Sequence, residues 1–570
     1  MKTRFVLRTR ILCGCFVLAA LLFIGQLYLL QIVHGSEYQK KASAHYTKAD
    51  PDTVNRGSIY FTAKDGELVS AAVMQTGWRI AIKPDQMGDA PQVYEQLNTI
   101  VPIDRDRFLL SAAKKGDPYE EVAFRVPDGA AKKIRALKVP GLLLVQDQWR
   151  FYPAGELAAQ AIGFVGYQGD TRAGVYGLEK NWENTLVQKQ NGLYINPFAE
   201  IFTNLQAVVS TDPSGHEGSI ITSIEPSVQR TLETTLEGLM KKYTPRSAGG
   251  IIMDPHTGEI LAMAGRPAYD PNTYSTVANS AVFQNALVES TFEMGSIMKP
   301  LTMAKGIDKG VVTPGTTYND TGCIQKSGKR VCNSDEKAHG IVSMQIVLNQ
   351  SLNTGASFVA DRIGHTEFGE FVRSLELGRK TGIDLPSEAV GQLKSIENGY
   401  DVDYASASFG QGIAVSPIAI IRALSILANG GVLPNPHVVT AIKLQNGIIR
   451  SIDPGEGPRV LSASSTEAVT KMLIESYDTA LIGGILKEEH YSLAAKTGTA
   501  QIAIPGGGGY YTDRTLHSFF GYLPANDPQF IILLFAIEPQ GEAFASATLS
   551  RPFSNLAKYL INYYSIPPDR

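Results

Sequence analysis

Three copies of the pattern Ser-x-x-Lys occur in this sequence, beginning at Ser111, Ser296 and Ser334. Residues three apart on a helix lie on one face, so an amine placed there can activate the hydroxyl as a nucleophile. The copy at Ser111 stands in an ordinary charged stretch, and the copy at Ser334 stands in a wholly polar one, which is typical of a solvated loop. Only Ser296-Ile-Met-Lys299 leads into an apolar run, through Pro300, which is tolerated in a first helical turn. Ser296 is therefore predicted to begin a buried helix, where the helix dipole favours developing negative charge.

Ser351-Leu-Asn353 is the only Ser-x-Asn in the chain, and it follows a predicted helix at residues 342–350. A hydroxyl and an amide two positions apart on a bend can point into one cleft. The hydroxyl would then relay protons while the amide binds a substrate amide. Alternatively, these residues and Gly355 are simply the polar C-terminal end of the preceding helix, which accounts for the sequence equally well. Both interpretations stay open for this motif taken alone.

Lys-Thr-Gly occurs twice. The copy that begins at Lys380 marks a transition from helix to loop and is predicted to be structural. The second copy, Lys496-Thr-Gly498, continues an apolar strand and runs into Thr499. A strand that lines a cleft offers Lys496 as a fixed cation and Thr497 as a hydroxyl donor. Its backbone can also align an extended substrate by strand addition.

The elements that must position these motifs follow from hydrophobic patterning. Two apolar runs within residues 249–263 flank a turn at Asp254-Pro-His-Thr-Gly258, which predicts a β-hairpin. Three late strands are predicted at residues 491–495, 516–522 and 530–537, after apolar helices such as 418–428. Two early strands, a helical middle and three late strands predict an α+β domain with a five-stranded antiparallel sheet flanked by helices.

The N-terminal part of the chain carries a different pattern. Basic residues within positions 1–10 precede residues 11–33, which contain no charged side chain. A helix needs about 20 such residues to cross a bilayer, and the flanking basic charge favours a cytoplasmic start. We expect a cytoplasmic tail at 1–10, a transmembrane helix at 11–33 and an exported remainder, in preference to a cleaved signal peptide or a lipoprotein. Residues 34–246 mix short strand-like runs with charged helical stretches and contain no catalytic arrangement, whereas residues 247–570 carry the motifs.

Composition excludes several classes of protein. The 570 residues are 44% hydrophobic, which is incompatible with a disordered chain. Lys plus Arg number 52 and Asp plus Glu 55, a net charge of -3, which argues against a nucleic-acid binder held by bulk charge. Among the four cysteines, Cys323 and Cys332 flank a polar turn that contains glycine. In an oxidising compartment they are either a hairpin disulfide or two free thiols.

Together the motifs at Ser296, Ser351 and Lys496 resemble, in order and spacing, the active-site set of penicillin-binding proteins and serine β-lactamases. Further segments resemble class B penicillin-binding proteins and extend the resemblance over nearly the whole chain. They are Arg56-Gly-Ser-Ile59, Arg150-Phe-Tyr-Pro-Ala-Gly155, Gly174-Val-Tyr-Gly-Leu-Glu179, Asp254-Pro-His-Thr-Gly-Glu-Ile-Leu-Ala262, Phe292-Glu-Met-Gly-Ser296 and Phe409-Gly-Gln-Gly412. The resemblance implies an elongated non-catalytic pedestal domain of dimerisation type at 34–246 and a transpeptidase domain at 247–570.

The resemblance also implies the reaction, a D,D-transpeptidation that cross-links peptidoglycan. Ser296 would attack the carbonyl between two D-alanines of a stem peptide, and an amine of a second strand would attack the resulting acyl-enzyme. Lys299 would be the base, provided that burial and the Lys496 cation favour its neutral amine. Ser351 would pass a proton to the leaving nitrogen, and Asn353 would hold the substrate amide.

Substrate contacts are implied by the same resemblance. Thr497 would bind the terminal carboxylate with help from the charge of Lys496. The backbone N–H groups of Ser296 and Thr499 would form the oxyanion hole. We also expect residues 505–509, a proline followed by four glycines, to form a flap over the cleft. No metal or organic cofactor is required by this chemistry.

The implied setting is the bacterial inner (cytoplasmic) membrane, with the catalytic domain on its outer side. The expected partners are the D-Ala-D-Ala donor and amine acceptor of stem peptides, β-lactams, the membrane, a glycosyltransferase and other division proteins. No nucleic-acid partner is expected. The form Ser-Leu-Asn-Thr-Gly355 resembles the division type more than the elongation type, whose second motif usually carries Asp.

Two departures from the family pattern are visible. Phe292-Glu-Met294 replaces a more usual Tyr-Glu-Pro before the nucleophile, and Phe61-Thr62 replaces an Asp-Arg pair in the entry motif. Neither touches a residue of the expected chemistry.

Five rival functions share parts of this pattern. A carboxypeptidase or β-lactamase would give the acyl group to water. A bifunctional synthase would need a glycosyltransferase region, whose catalytic Glu-Asp dipeptide occurs nowhere in the chain. A non-catalytic scaffold or penicillin sensor would keep the fold without the reaction, and intact Lys299, Ser351 and Lys496 argue against such decay.

Overall fold

The computed structural model describes residues 55–169, 171–188, 217–507 and 509–570. The predicted cytoplasmic tail and transmembrane helix, at 1–10 and 11–33, lie outside the described residues. Within the described ranges, no helix combines the length and the apolar character needed to cross a membrane.

The strands are numbered in chain order. They are β1 (Asn55–Arg56), β2 (Ile59–Thr62), β3 (Leu68–Ile82), β4 (Glu120–Val126), β5 (Leu142–Phe151), β6 (Val165–Gln168), β7 (Thr171–Gly174), β8 (Val187–Gln188), β9 (Gly218–Thr222), β10 (Ser247–Met253), β11 (Ile260–Arg266), β12 (Thr317–Asp320), β13 (Cys323–Lys326), β14 (Lys329–Cys332), β15 (Gly340–Ser343), β16 (Val439–Leu444), β17 (Ile449–Ser451), β18 (Ala494–Ala503), β19 (Tyr510–Leu523) and β20 (Phe530–Ile537).

The α-helices are referred to by their bounds. They are Ala90–Asn98, Arg105–Ala112, Asp128–Ala136, Ala159–Ile162, Gly177–Asn181, Glu183–Leu186, Pro226–Tyr243, Ala286–Glu289, Lys299–Asp308, Met344–Asn349, Asn353–Ile363, His365–Ser374, Lys394–Asn398, Asp401–Ala407, Pro417–Ser425, Ala463–Glu475 and Ala545–Tyr564. Short 3-10 turns lie at Pro84–Gln86, Pro271–Thr276, Ser280–Phe283, Gly295–Met298 and Leu481–Gly484, and a π turn lies at Ser476–Ala480.

A five-stranded antiparallel sheet in the order β11-β10-β20-β19-β18 forms the centre of the C-terminal part. Every residue of β20 is buried, as expected of a central strand covered on both faces. The prediction of an α+β fold with this sheet is confirmed. The strand expected at 491–495 begins later, at Ala494, and extends to Ala503.

Helices cover both faces of this sheet. The helices Pro226–Tyr243 and Ala545–Tyr564 bury leucines and phenylalanines against one face. The helices Lys299–Asp308 and Pro417–Ser425 lie in the core on the other face. The turn that contains Ser296 therefore leads directly into a helix whose apolar side is fixed in the main core. Burial of such side chains contributes roughly 1.5–3 kcal/mol each.

A second sheet joins segments that are far apart in the sequence. Its order is β17-β16-β9-β2-β3-β4, with β5 paired to β3. Strands β16 and β17 belong to the region predicted as the transpeptidase domain, whereas β2 to β5 and β9 belong to the region predicted as the pedestal. The boundary between residues 246 and 247 stays a prediction, and this sheet is continuous across it.

A buried cluster of charges lies in the N-terminal region. Glu179, whose side chain has 0% exposure, binds Arg56 Nε at 2.6 Å and Arg150 Nε at 2.6 Å. Arg56 also binds Glu183 at 2.7 Å. Burial by itself would raise the pKa of Glu179, but the two guanidinium groups hold that pKa below its usual value. Each buried charge in this cluster therefore has a counter-charge.

Candidate active site

The first motif begins in the 3-10 turn Gly295–Met298, which continues directly into the helix Lys299–Asp308. Gly295 has a φ of +65°, and a Cβ there would lie 3.2 Å from the carbonyl oxygen of Thr499. The turn therefore needs glycine both for its backbone conformation and for the close approach of β18. Ser296 is half-buried, between a buried glycine and the buried Ile297.

Lys299 lies one turn after Ser296 and is almost fully buried, with 1% exposure. Its Nζ donates to the carbonyl oxygen of Ser351 and, at 3.1 Å, to the Ser351 hydroxyl. Burial, and then the positive charge of Lys496, hold the pKa of Lys299 well below its usual value. The amine is therefore neutral at a pH where an exposed lysine would be charged.

Ser351 is the point at which the two lysines meet. Its Oγ accepts a hydrogen bond from Lys299 and another from Lys496 Nζ at 2.9 Å. Its backbone has a φ of +57°, in the left-handed region that costs a non-glycine residue roughly 1–3 kcal/mol. A strained backbone at a cluster of reactive groups is typical of a functional site.

The third motif lies on β18, which is an edge strand of the five-stranded sheet. Lys496 is buried at 4% exposure, and its Nζ also donates to the carbonyl oxygen of Thr497 at 3.0 Å. Burial lowers the pKa of Lys496 to about 7. Thr497 and Thr499 are half-buried on the opposite face of the strand, and the Thr499 hydroxyl accepts a hydrogen bond from the backbone of Ala545 at 3.0 Å.

Gly498 explains why β18 can pass so close to the turn Gly295–Met298 that contains Ser296. A Cβ on Gly498 would lie 2.7 Å from the carbonyl oxygen of Met294 and 2.4 Å from the Ser518 hydroxyl. Ser518, which faces Gly498 across the ladder with β19, donates to Met294 O at 2.7 Å. Sequence inspection did not single out Ser518, although its position opposite Gly498 is a usable signal once the strand pairing is known.

Asn353 begins the helix Asn353–Ile363 two residues after Ser351. Its Nδ2 donates to the carbonyl oxygen of Cys332 at 2.8 Å. The amide oxygen is the remaining polar atom of the side chain for a substrate N–H. The role of Asn353 in substrate binding stays a prediction.

Cys332 and Cys323 face each other across the β13–β14 hairpin and are joined by a disulfide. The sequence left this pairing open against two free thiols. The carboxylate of Glu336 lies beside the two sulfur atoms. Because the sulfurs are bonded to each other, these three residues do not form a metal site.

The other copies of the motifs are placed elsewhere. Ser111 donates to Glu120 at 2.9 Å, and Lys114 forms an ion pair with the same carboxylate. The backbone N–H of Thr381, in the first Lys-Thr-Gly, donates to Glu388 at 2.6 Å. Both copies therefore make local structural contacts, and Ser111 is buried at 6% exposure.

Two neighbouring segments are hydrogen-bonded to the turn that contains Ser296 or to the residues just before it. The backbone N–H of Gly295 donates to Gly410 O at 3.2 Å, which ties the turn to the segment Phe409-Gly-Gln-Gly412. Tyr510, at the start of β19, donates to the Glu293 carboxylate at 2.9 Å. Residues 505–509 connect β18 to β19, with position 508 outside the described residues. Their role as a flap stays a prediction.

Comparison with known proteins agrees with this arrangement. A family model described as "Penicillin binding protein transpeptidase domain" matches residues 248–556, and one described as "Penicillin-binding Protein dimerisation domain" matches residues 51–197. The chain is 26% identical over 574 residues to peptidoglycan D,D-transpeptidase FtsI of Escherichia coli, covering 99% of this chain and 92% of that protein. It is 26% identical over 541 residues to stage V sporulation protein D of Bacillus subtilis, covering 94% and 82%.

Solved structures share the fold. Penicillin-binding protein 2X of Streptococcus thermophilus superposes with a TM-score of 0.71 at 20% identity, covering 90% of this chain and 80% of that one. Penicillin-binding protein 3 of Mycobacterium tuberculosis, complexed with aztreonam, superposes with a TM-score of 0.68 at 21% identity, covering 91% and 98%.

Proposed function

The chain belongs to the penicillin-binding protein transpeptidase family, and we propose that it is a membrane-anchored peptidoglycan D,D-transpeptidase that forms peptide cross-links through an acyl-serine. The observation that carries the proposal is the convergence of two buried lysine amines on the Ser351 hydroxyl, next to the turn that holds Ser296. The naming of relatives as peptidoglycan D,D-transpeptidases supports the same reaction.

In the first step, the Ser296 hydroxyl attacks the carbonyl carbon between the two D-alanines of a donor peptide. Serine is a weak nucleophile at neutral pH, so its proton must pass to a base as the C–O bond forms. A neutral amine has two N–H bonds and one lone pair. Both N–H bonds of Lys299 are directed to Ser351, so its lone pair remains to accept the proton of Ser296.

The leaving nitrogen must then gain a proton. The Ser351 hydroxyl oxygen accepts one hydrogen bond from each lysine, which occupies its two lone pairs. Its own O–H is left to donate, and we assign it the delivery of a proton to the departing D-alanine nitrogen. Ser351 regains a proton from Lys299, which took one from Ser296, so the net transfer is from the Ser296 hydroxyl to the leaving amine. In the second step the roles reverse, and the incoming amine of a second stem peptide loses a proton along the same path.

Binding and transition-state stabilisation are assigned to β18 and the nucleophile turn. The free edge of β18 aligns the donor peptide by strand addition, and Thr497 with Lys496 holds its terminal carboxylate. The backbone N–H groups of Ser296 and Thr499 form the oxyanion hole, a kind of contact typically worth about 2.7–4 kcal/mol. β-Lactams would acylate Ser296 in place of the donor.

We further propose the cellular setting. Residues 11–33 anchor the chain in the bacterial cytoplasmic membrane, residues 34–246 form the pedestal, and residues 247–570 work outside the membrane with a glycosyltransferase. A septal role in division is favoured over an elongation role by the Ser-Leu-Asn-Thr-Gly355 form and by the relative named FtsI.

A purified full-length protein tests the reaction directly. Incubated with lipid-linked peptidoglycan precursor and a glycosyltransferase, it should form cross-linked peptides with release of D-alanine, and it should hold a stable adduct with penicillin. Rapid turnover of penicillin, or release of D-alanine without cross-links, would instead identify a hydrolase. Absence of both products and adduct would identify a scaffold.

A further inference from the structure

A buried carboxylate lies directly behind the Ser351–Asn353 turn. Asp320 ends β12, and its side chain has no exposed surface. Its two oxygens accept hydrogen bonds from Thr354 Oγ1 at 2.6 Å, from Asn333 Nδ2 at 3.0 Å and from the ring Nδ1 of His339 at 2.6 Å. The backbone N–H groups of Gly322 and His339 donate to it as well, at 3.2 and 3.1 Å.

This cluster is linked to the second motif through two consecutive residues. The backbone N–H of Thr354 donates to Asn333 Oδ1 at 3.1 Å. Asn353, immediately before Thr354, donates to the carbonyl oxygen of Cys332, immediately before Asn333. The first turn of the helix Asn353–Ile363 is thereby hydrogen-bonded to residues 332–333 at two successive positions.

Ser351 requires such support. Its φ of +57° is a conformation that persists only where the surroundings fix it. Both lysine contacts to its Oγ depend on this conformation, because a change of backbone would redirect the hydroxyl. Among the described residues, Thr354 is the one residue of this turn that reaches the Asp320 carboxylate.

The groups that face Asp320 favour its ionised form. Burial alone would raise the pKa of Asp320, but hydrogen bonds from Thr354, His339, Gly322 and Asn333 hold that pKa below its usual value. The other ring nitrogen of His339 lies 3.4 Å from Asp335, and the Tyr318 hydroxyl lies 3.1 Å from Thr354 Oγ1. The carboxylate is thus a fixed acceptor around which the donors are oriented.

We propose that Asp320 is a positioning residue of the reaction, which acts through Thr354 and Asn333 to hold Ser351 where both lysine amines reach its hydroxyl. The inference rests on the proposed function, since it assigns Asp320 to that same site. Asp320 touches neither substrate nor the reacting atoms. Its loss should therefore slow the acylation step and leave the initial binding of the donor unchanged.

Two variants of Thr354, one without and one with the hydroxyl, test the proposed role of Asp320. Thr354→Val removes the hydroxyl that donates to Asp320, and Thr354→Ser keeps it. In stopped-flow acylation of the full-length protein by fluorescent penicillin, the first-order acylation constant should fall about tenfold in Thr354→Val, the size expected for one charge-assisted hydrogen bond. The dissociation constant of the pre-covalent complex should stay within twofold, and Thr354→Ser should restore the acylation constant.

A second variant and a control complete the experiment. Asp320→Asn should slow acylation at least as much as Thr354→Val. Lys326→Gln, which removes an ion pair between β13 and Asp361 on the helix Asn353–Ile363, should acylate at the wild-type rate. Equal acylation constants for Thr354→Val and Thr354→Ser, or a loss confined to the dissociation constant, would overturn the inference. Failure of the wild-type protein to acylate would contradict the proposed function instead.

Discussion

Two clusters of buried basic side chains lie in this molecule, and they are built in opposite ways. In the N-terminal region, Arg56 and Arg150 enclose the carboxylate of Glu179, and the guanidinium charge of Arg56 is reinforced because its pKa is raised. In the C-terminal region, Lys299 and Lys496 both direct their amines to one serine hydroxyl. Among the described residues, no carboxylate forms an ion pair with either lysine.

The difference separates a structural cluster from a reactive one. A buried ion needs a counter-charge. Where none is present, burial shifts the pKa of the group so that its neutral form is favoured. The arginine cluster therefore keeps its charges and fixes the fold. The lysine cluster yields amines whose pKa values are lowered by burial, which is what a base at neutral pH requires.

The largest effect is expected from Lys299→Met. Loss of the base should reduce the rate constant of penicillin acylation by about 10²–10⁴-fold. The melting temperature should stay equal or rise, because at neutral pH the unfolded lysine is protonated and must lose that proton on burial. Stopped-flow fluorescence and calorimetry measure the two quantities.

Lys305→Met is the matched control for that variant. Lys305 lies on the same helix but binds Glu367 at 3.1 Å. The Lys305→Met protein should be acylated by penicillin at the wild-type rate. An unimpaired Lys299→Met protein, or equal losses in the two variants, would show that the buried amine is not the base.

The next largest effect is expected from Glu179→Gln, in the charge-compensated cluster. Within the described part of the chain, removal of the carboxylate charge leaves the buried Arg150 without a counter-charge and Arg56 with Glu183 alone, which should lower the free energy of unfolding by about 3–5 kcal/mol. Glu183→Gln should cost less, because Glu183 is partly exposed and binds only Arg56 among the basic residues described here. Urea denaturation of both variants provides the measurement. Equal free energies of unfolding for the two variants would show that Glu179 is not the main counter-charge of the arginine cluster.

The pH dependence of acylation sharpens the comparison further. Burial, and then the charge of Lys496, lower the pKa of Lys299. The second-order rate constant of acylation by penicillin should therefore rise with pH as Lys299 loses its proton. It should then fall above about pH 7 as Lys496 loses the charge that meets the ligand carboxylate. Lys496→Arg should keep the rising limb and shift the falling limb by more than about two pH units, because a guanidinium stays charged. A falling limb that does not move would assign it to another group.

The smallest effect is expected for an exposed pair. Glu467 and Lys471 lie one helical turn apart at 2.7 Å, with about two thirds of each side chain exposed. Solvent screens such a pair, so Glu467→Gln should change neither the melting temperature nor acylation measurably. A clear loss of either would mean that burial is not what distinguishes the charges in this chain.

Much of the central sheet could be predicted from the sequence. The apolar run at 530–537 corresponds to β20, and the turn at Asp254-Pro-His-Thr-Gly258 separates β10 from β11. Residues 342–343 were expected in a helix and lie in β15 instead, with the helix beginning at Met344. The periodicity of a short apolar run does not distinguish a strand from a helix. Here residues 342–343 form a strand because they pair with β12.

The candidate site was predictable as a set of motifs, and its geometry was not. Lys299 and Ser351 are 52 residues apart, and Lys496 is 145 residues from Ser351. Their meeting depends on tertiary packing, on the left-handed backbone of Ser351 and on the close approach that Gly498 permits. The role proposed for Asp320 could not be predicted either, since an isolated Asp in a polar segment carries no pattern of its own.

The most direct measurement is to identify the serine that penicillin acylates. After incubation of the full-length protein, peptide mass spectrometry should find one adduct, on Ser296, in the wild type and in Ser334→Ala, and none in Ser296→Ala. An adduct that persists in Ser296→Ala, or that maps to the Ser-x-x-Lys at Ser111 or Ser334, would contradict the account.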